Sequence, residues 1–461
     1  MKYLFALFLS LSFLSSPKAQ QTDSLQIRKI FDMALTEGHA YENLRSLCKD
    51  VGARLSGSPE AEKAVQWAKA LLESYKFDSV WLMPVKVPHW ERGDVELAGF
   101  EGEPMSIKTL GGSVSSKGRI EAEVVEVHNF EELAALGKAA IEGKIVFFNR
   151  PMDKKLISTG EAYGGCVNQR WGGASNAAQY GAVGVFVRSM SHHNDKHAHT
   201  GSMGYEDGVK KIPSVALSIQ DAEALSAALK EKPNLKAYLE VNPKSFPDKD
   251  SYNVIAEIKG KVEPDKIITF GGHLDSWDVG EGAHDDGAGV VHSIEALRIL
   301  KEMNYQARYT LRCVLFMNEE NGNKGGKTYA AVAKEKGETH VAALESDAGG
   351  FVPRGFTMDG SASQIARMQT WEPLLEPYRL HIFEKGWGGV DIGPLKDQGV
   401  PLIGLRTDDQ RYFDHHHSDT DVFENVHKRE LELGAASLSA MVYLVDKYGL
   451  GESLKPIQPR D

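Results

Sequence analysis

The sequence predicts an α/β protein, a central mixed β-sheet flanked by helices, with a second domain inserted into the first. Three observations predict it. From Tyr252 onward, buried apolar runs, polar loops and amphipathic helices alternate, the pattern of βα repeats. Between residues 94 and 245 the texture differs: short β-like runs ("EAEVVEV", "KIVFFN", "VGVFVRS", "PSVALSI") alternate with Gly-rich turns and small helices. At 461 residues the chain is also longer than one compact core usually serves. The simplest parse assigns residues 22–93 and 246–461 to one discontinuous domain and residues 94–245 to the insert.

The first element, residues 1–19, reads as a secretory signal peptide. Lys2 supplies the positive start, Tyr3 to Leu14 an apolar core, and Ser15 to Ala19 a small-residue cleavage region. The apolar run is too short to span a bilayer, which takes about 20 such residues. No later stretch is long and apolar enough either. An exported protein without a membrane anchor, periplasmic or extracellular, is the expectation. Two amphipathic helices follow. The second, "SPEAEKAVQWAKALLESYKF", has Ser58 as N-cap and Pro59 at the first helical position. "DSVWLMPVKVPHW" then alternates like a strand.

Composition excludes some partners. Acidic residues outnumber basic ones, 64 to 53, which argues against nucleic acid or an anionic membrane surface. The three cysteines are widely spaced and form no disulfide framework, nor is there a CxxC pair for zinc.

Four strands of the second half each run into metal-binding residue types. "KIITF" leads to His273 and Asp275, "TLRCVLFM" to Glu319 and Glu320, "HVAALE" to Asp347, and "VPLIGL" to the triple histidine His415, His416 and His417. A fifth piece, "GAHDDGAG", places Asp285 and Asp286 just before a helix whose buried face is Val290, Ile294, Leu297 and Leu300. Ligands of open α/β sheets bind beyond the carboxyl ends of the strands, so these groups are expected to converge there. Each alone has an ordinary structural explanation, Asp286 as an N-cap for instance. Together they have the composition of a two-metal site, in which a water bridging two divalent ions becomes a nucleophile at neutral pH. In the Glu319–Glu320 pair, adjacent side chains diverge, so one can ligate while the other reaches the water as general base. Which of the three histidines binds is left open by the residues themselves.

"GGHLDSW", "GAHDDGAG", "NEENGNKGGKTYA", "ESDAGG" and "HHHSDT", in this order, resemble the di-zinc peptidase family of the bacterial leucyl aminopeptidases and glutamate carboxypeptidase II. "GGHLDSWDVG" is similar in particular to the carboxypeptidase Q branch. The resemblance implies a zinc-exopeptidase fold in which the insert is a protease-associated-like cap, with "YGAVGVFVRS" its most recognisable part. It implies two Zn2+ per chain: His273 and Asp347 on one ion, Glu320 and one histidine on the other, and Asp285 bridging both. Glu319 would be the general base and Asp275 would orient His273. The family's last histidine stands four residues before an aspartate followed by threonine. Counting back from Asp419 and Thr420 selects His415. Asp414 occupies a place where some relatives carry an oxyanion-stabilising tyrosine, which leaves Tyr412 or a cap residue for that work.

The implied activity is hydrolysis of dipeptides or short peptides; the partner is a small peptide substrate, and homodimers are common among relatives. Aminopeptidase action on longer peptides and a single-zinc, glutaminyl-cyclase-like transferase are the alternatives. "GNKGGKT" lacks the first glycine of a phosphate-binding loop, because Asn321 takes its place. "SHHNDKHAHTG" in the insert is a second histidine cluster, either an exposed loop or a route by which His199 reaches the site mouth.

Overall fold

The computed structural model describes residues 17–451, with side chains from residue 21 onward. The signal-peptide reading therefore lies almost wholly outside the described residues. Among these, no helix is long and apolar enough to cross a membrane.

Two eight-stranded mixed sheets organise the chain. The first runs in the order Ser79–Glu91, Lys244–Ile258, Tyr309–Phe316, Glu263–His273, Thr339–Glu345, Leu402–Thr407, Pro353–Asp359 and Ile382–Lys385. Its four central strands, Tyr309–Phe316 to Leu402–Thr407, are mutually parallel. Strands buried on both faces need apolar residues at nearly every position, and Tyr309–Phe316 is buried throughout. On one face, Val254, Ala256, Leu311, Cys313 and Leu315 meet the helices Pro17–Glu37, Ala288–Glu302 and Lys428–Tyr448. On the other, Ile255, Val314 and Phe316 meet Tyr329, Ala330 and Ala333 of the helix Lys324–Lys336. The helix Ala288–Glu302 is buried well beyond its predicted stripe, continuously from Ala288 to Leu300, because other helices pack against its outer side. Each fully buried Leu or Ile there contributes about 1.5–3 kcal/mol.

Ser58 caps the helix Pro59–Ser74 as its sequence indicates, its Oγ accepting from the Ala61 N–H at 3.0 Å. All strands of the second sheet fall between Glu96 and Val241. The chain leaves the first sheet after Glu91 and re-enters it at Lys244, and these two residues face each other in an antiparallel pair. The excursion thus begins and ends at one point, which leaves the first sheet's pairing intact. The three cysteines are buried free thiols.

Candidate active site

The parallel strands deliver their chemistry to one edge. Glu263–His273 ends in His273, and Tyr309–Phe316 ends two residues before Asn318, whose backbone turns left-handed at φ 74°. That turn starts the loop carrying Glu319 and Glu320. Thr339–Glu345 ends two residues before Asp347. Asp285 arrives from the loop ahead of Ala288–Glu302, and its peptide bond to Asp286 is cis.

Two triads result, and they share Asp285. In the first, His273 Nε2 lies 3.2 Å from Asp285 Oδ1 and 3.7 Å from Asp347 Oδ1. In the second, His417 Nε2 lies 3.3 Å from Asp285 Oδ2 and 3.2 Å from Glu320 Oε2. Both histidines are oriented alike. His273 Nδ1 donates to the backbone carbonyl of Asp275 at 3.0 Å, and His417 Nδ1 to that of Thr200 at 3.3 Å. A proton fixed on Nδ1 leaves the Nε2 lone pair facing the carboxylates, which is how metal-ligating histidines are held.

Around the triads, further carboxylates hold backbone. Asp286 accepts from the N–H groups of His273 (3.0 Å) and Gly289 (2.9 Å), so it pins the first triad to the helix instead of joining it. Asp421 accepts from the N–H groups of His284 (2.7 Å) and Asp285 (3.1 Å). Asp275 Oδ1 stands 3.9 Å from His273 Nδ1; it accepts from the N–H groups of Asn318 (2.7 Å) and Glu319 (3.1 Å) and so ties the histidine strand to the Glu319 loop. Arg54, fully buried, donates to the carbonyls of Leu274, Glu281 and Gly282 and clamps the Asp285 loop from behind. Sequence reading passes over Arg54 and Asp421. Their partners are backbone atoms more than a hundred residues away, which leaves no local pattern to find.

Of the triple histidine, His415 stands apart from both triads, contrary to the count back from Asp419. Its Nδ1 meets Thr420 Oγ1 at 3.1 Å, and its ring lies 5.4 Å from that of His284. His417 is the histidine of the second triad. His416 stacks on the His417 ring at 3.5 Å and keeps its Nε2 3.8 Å from Asp285. The physical reason is a contact with the excursion. Thr200 N–H donates to the His417 carbonyl at 2.9 Å, and His199 Nδ1 donates to the His416 carbonyl at 2.7 Å. His417 is thereby held in the left-handed region, at φ 61°, and turned inward. His199 is accordingly buried against the histidine loop, while His193 of the same cluster is exposed.

The electrostatics suit a cation. Burial opposes the charged form of His273, yet the carboxylates of Asp285 and Asp347 outweigh it and hold its pKa well above the ordinary value. Burial likewise opposes ionisation of Asp285, but His273 and His417 hold its carboxyl well below the usual range. Burial and the neighbouring Asp285 raise Glu320 to about 7, against the pull of His417. Glu319 is pushed well above its ordinary value by burial, with the carboxylates of Asp347, Glu320 and Asp285 adding to the rise. Asp285 Oδ2 and Glu320 Oε1 are buried without any hydrogen-bond donor. Unpaired buried carboxylate oxygens are costly, so atoms converging with histidine nitrogens in this way fit a metal ion. The candidate ligand atoms of His273, Asp285 and Asp347, and those of Asp285, His416 and His417, all lie within 4.8 Å of one another in each set.

Known proteins resemble the chain throughout. Residues 253–442 match peptidase family M28. Carboxypeptidase Q of Bos taurus is 36% identical over 412 residues, covering 89% of this chain and 85% of that protein. The chain is a member of peptidase family M28. In the crystal structure of a peptidase M28 precursor from Shewanella amazonensis the fold recurs with a TM-score of 0.88 and 33% identity, over 95% of this chain and 99% of that one. A zinc aminopeptidase from Bacillus subtilis shares the fold at a TM-score of 0.64 and 20% identity, covering 89% of this chain and 95% of its own. The protein is thus a metallo-exopeptidase with an α/β fold.

This peptidase opens its triads into a cavity of about 990 Å³. Asp285, Glu319, Glu320, Asp347, His416 and His417 form its floor. Tyr163 and Arg170 of the excursion close one wall, with Tyr163 stacked 4.7 Å from Phe413. Tyr412 also lines the cavity, half-buried, its hydroxyl held protonated by burial and by the carboxylates of Asp285 and Asp347. Glu319 borders a second cleft of about 480 Å³ as well, walled by Trp90, Trp171 and Phe246. "GNKGGKT" forms the turn after Glu320 and the start of the helix Lys324–Lys336.

Proposed function

We propose that the protein is an exported zinc exopeptidase cleaving dipeptides or short peptides. Two zinc ions would be held by His273, Asp347 and Asp285 on one side and by His417, Glu320 and the shared Asp285 on the other. The observation that carries this reading is the pair of matching triads, each with a histidine whose Nδ1 is fixed by a backbone carbonyl and whose Nε2 faces two carboxylates. Nitrogen and oxygen donors of this kind suit zinc. The similar Bacillus subtilis protein is a zinc aminopeptidase, and the Bos taurus relative is a carboxypeptidase. The signal-like residues 1–19 support export.

Zinc bound there supplies a Lewis acid for the scissile carbonyl and acidifies the attacking water. The chain's own residues do the rest. Glu319 borders the cavity beside both triads without belonging to either, so its carboxylate is free to take the proton of the attacking water and return it to the leaving amine. Burial and the neighbouring carboxylates raise its pKa, which makes it a stronger proton acceptor than an ordinary glutamate. Asp275 holds the Glu319 backbone in register with His273. Tyr412 is positioned to donate to a developing oxyanion at the cavity wall.

Glu319→Gln tests the reading. Turnover falls by about 10²–10⁴-fold, the usual worth of a general base, and bound zinc is unchanged. Activity within about tenfold of the wild type, or loss of zinc, overturns the assignment.

A further inference from the structure

We infer that Arg406 is the anchor for a carboxylate of the substrate, an inference that rests on the exopeptidase reading and adds its specificity. Arg406 lies on the strand Leu402–Thr407, which runs parallel to Thr339–Glu345 with Gly404 opposite Glu345. Past that pair the two chains run on in the same direction, one to Asp347 and the other to Arg406. The two side chains accordingly line one small pocket together with Trp387, Gly388 and Gly389, and both also line the main cavity.

Arg406 differs from the other arginines nearby. Arg354 pairs with Asp408 at 2.7 Å, and Arg411 pairs with Glu430 at 3.5 Å while lying over the Phe351 ring. Arg170 donates to the Thr200 carbonyl, the same oxygen that accepts from His417 Nδ1. The Arg406 guanidinium is half-buried and makes no hydrogen bond or ion pair among the described residues. A half-buried guanidinium with no protein acceptor keeps its donors available to a ligand entering the cavity. Its planar fork matches a carboxylate with two parallel hydrogen bonds. The acids that share its small pocket are unsuited to serve as that acceptor. Asp347 faces His273, and Glu345 accepts from the N–H groups of Val390 and Ile392.

A peptide whose scissile carbonyl sits over the triads would therefore present a carboxylate at the Asp347 side of the cavity. That carboxylate is either the C-terminal one or an acidic side chain. The test uses zinc-loaded Glu319→Gln protein, so that peptides bind without being cleaved, and calorimetry with alanyl-glycine, its C-terminal amide, and glutamyl-glycine amide. Arg406→Ala weakens binding of any carboxylate-bearing peptide that uses the anchor by about 10- to 100-fold, the loss of a charge-assisted pair. The affinity for alanyl-glycine amide stays within about twofold, which also shows that the variant is folded, and Arg406→Lys recovers part of the loss. Loss confined to alanyl-glycine assigns the C-terminal carboxylate; loss confined to glutamyl-glycine amide assigns the side chain. Equal weakening of all three peptides, or of none, overturns the anchor. Peptide hydrolysis by the wild type, measured separately, decides the exopeptidase reading alone.

Discussion

His417→Ala and His415→Ala should behave oppositely towards zinc, and the structure sets the size of the difference. His417 Nε2 is one of three donors on its side, with Glu320 and the shared Asp285. Removing merely an outer partner of a metal ligand costs about 10–100-fold in affinity, so removing the ligand costs at least about 100-fold, or ~2.8 kcal/mol. Glu320 and Asp285 then keep their charges with no histidine between them, which adds repulsion. His415 has none of these roles. Its loss removes one hydrogen bond to Thr420 and its ring contact with His284, worth about 0.5–1.5 kcal/mol of stability, and leaves zinc in place. The measurement is zinc per chain by mass spectrometry after dialysis at fixed free zinc, alongside thermal unfolding. We expect about two ions for the wild type and His415→Ala and about one for His417→Ala. A His415→Ala protein that loses zinc while His417→Ala retains it would refute the geometry.

Other outcomes follow from the same contacts. Gly201→Ala places a Cβ 2.4 Å from the Arg170 guanidinium carbon and 2.7 Å from His417 Nδ1, at φ +134°. It should destabilise the fold by about 1–3 kcal/mol and weaken one of the zinc ions, read by competitive chelator titration; two unchanged affinities would contradict the role given to Thr200 and His417. Asp421→Ala strips the His284 and Asp285 N–H groups of their acceptor, at about 1–3 kcal/mol each, which urea unfolding should register. In zinc-free protein, acid destabilises through buried histidines. Burial pushes His199 and His292 down to about 4, from an ordinary 6.5. The unfolded chain takes up their protons first, so the stability they contribute is full above about pH 6.5 and is lost as pH falls towards 4, at up to ~1.4 kcal/mol per pH unit for each. The raised carboxyls of Glu320 and Glu345 act in the opposite direction over the same range, so the check is a difference: a gap between the urea midpoints of the wild type and His292→Gln that stays constant from about pH 7 to pH 5 would refute this.

The strands that carry the site are legible because burial on both faces forces a continuous apolar run that ends abruptly in polar residues. "KIITF" and "HVAALE" are such runs, and His273 and Asp347 follow them as expected. Pro353–Asp359 and Ile382–Lys385 are not singled out by the sequence. The second is a four-residue edge strand with two exposed residues, too short and too polar to stand out from a loop. The residues alone do not distinguish Asp285 from Asp286; the family resemblance selects Asp285, and in space Asp285 faces the histidines while Asp286 caps backbone.

The histidine loop shows why counting along a chain is a weaker guide than asking where each ring's second nitrogen goes. A fixed distance from Asp419 identifies a ligand only if the loop keeps one conformation, and here that conformation is imposed from 217 residues away, by Thr200 on the His417 ring. The two triads are therefore built on different principles. His273 takes its Nδ1 partner from Asp275, two residues along its own chain, so its orientation comes with its strand. His417 takes its partner from the excursion, as does Glu320, whose carbonyl accepts from Ser202 Oγ at 2.7 Å. Residues 199–202 thus hold half of the proposed metal site in position in addition to covering it. A change in them should alter one zinc affinity and leave the other alone, an asymmetry that a freely moving cap could not produce.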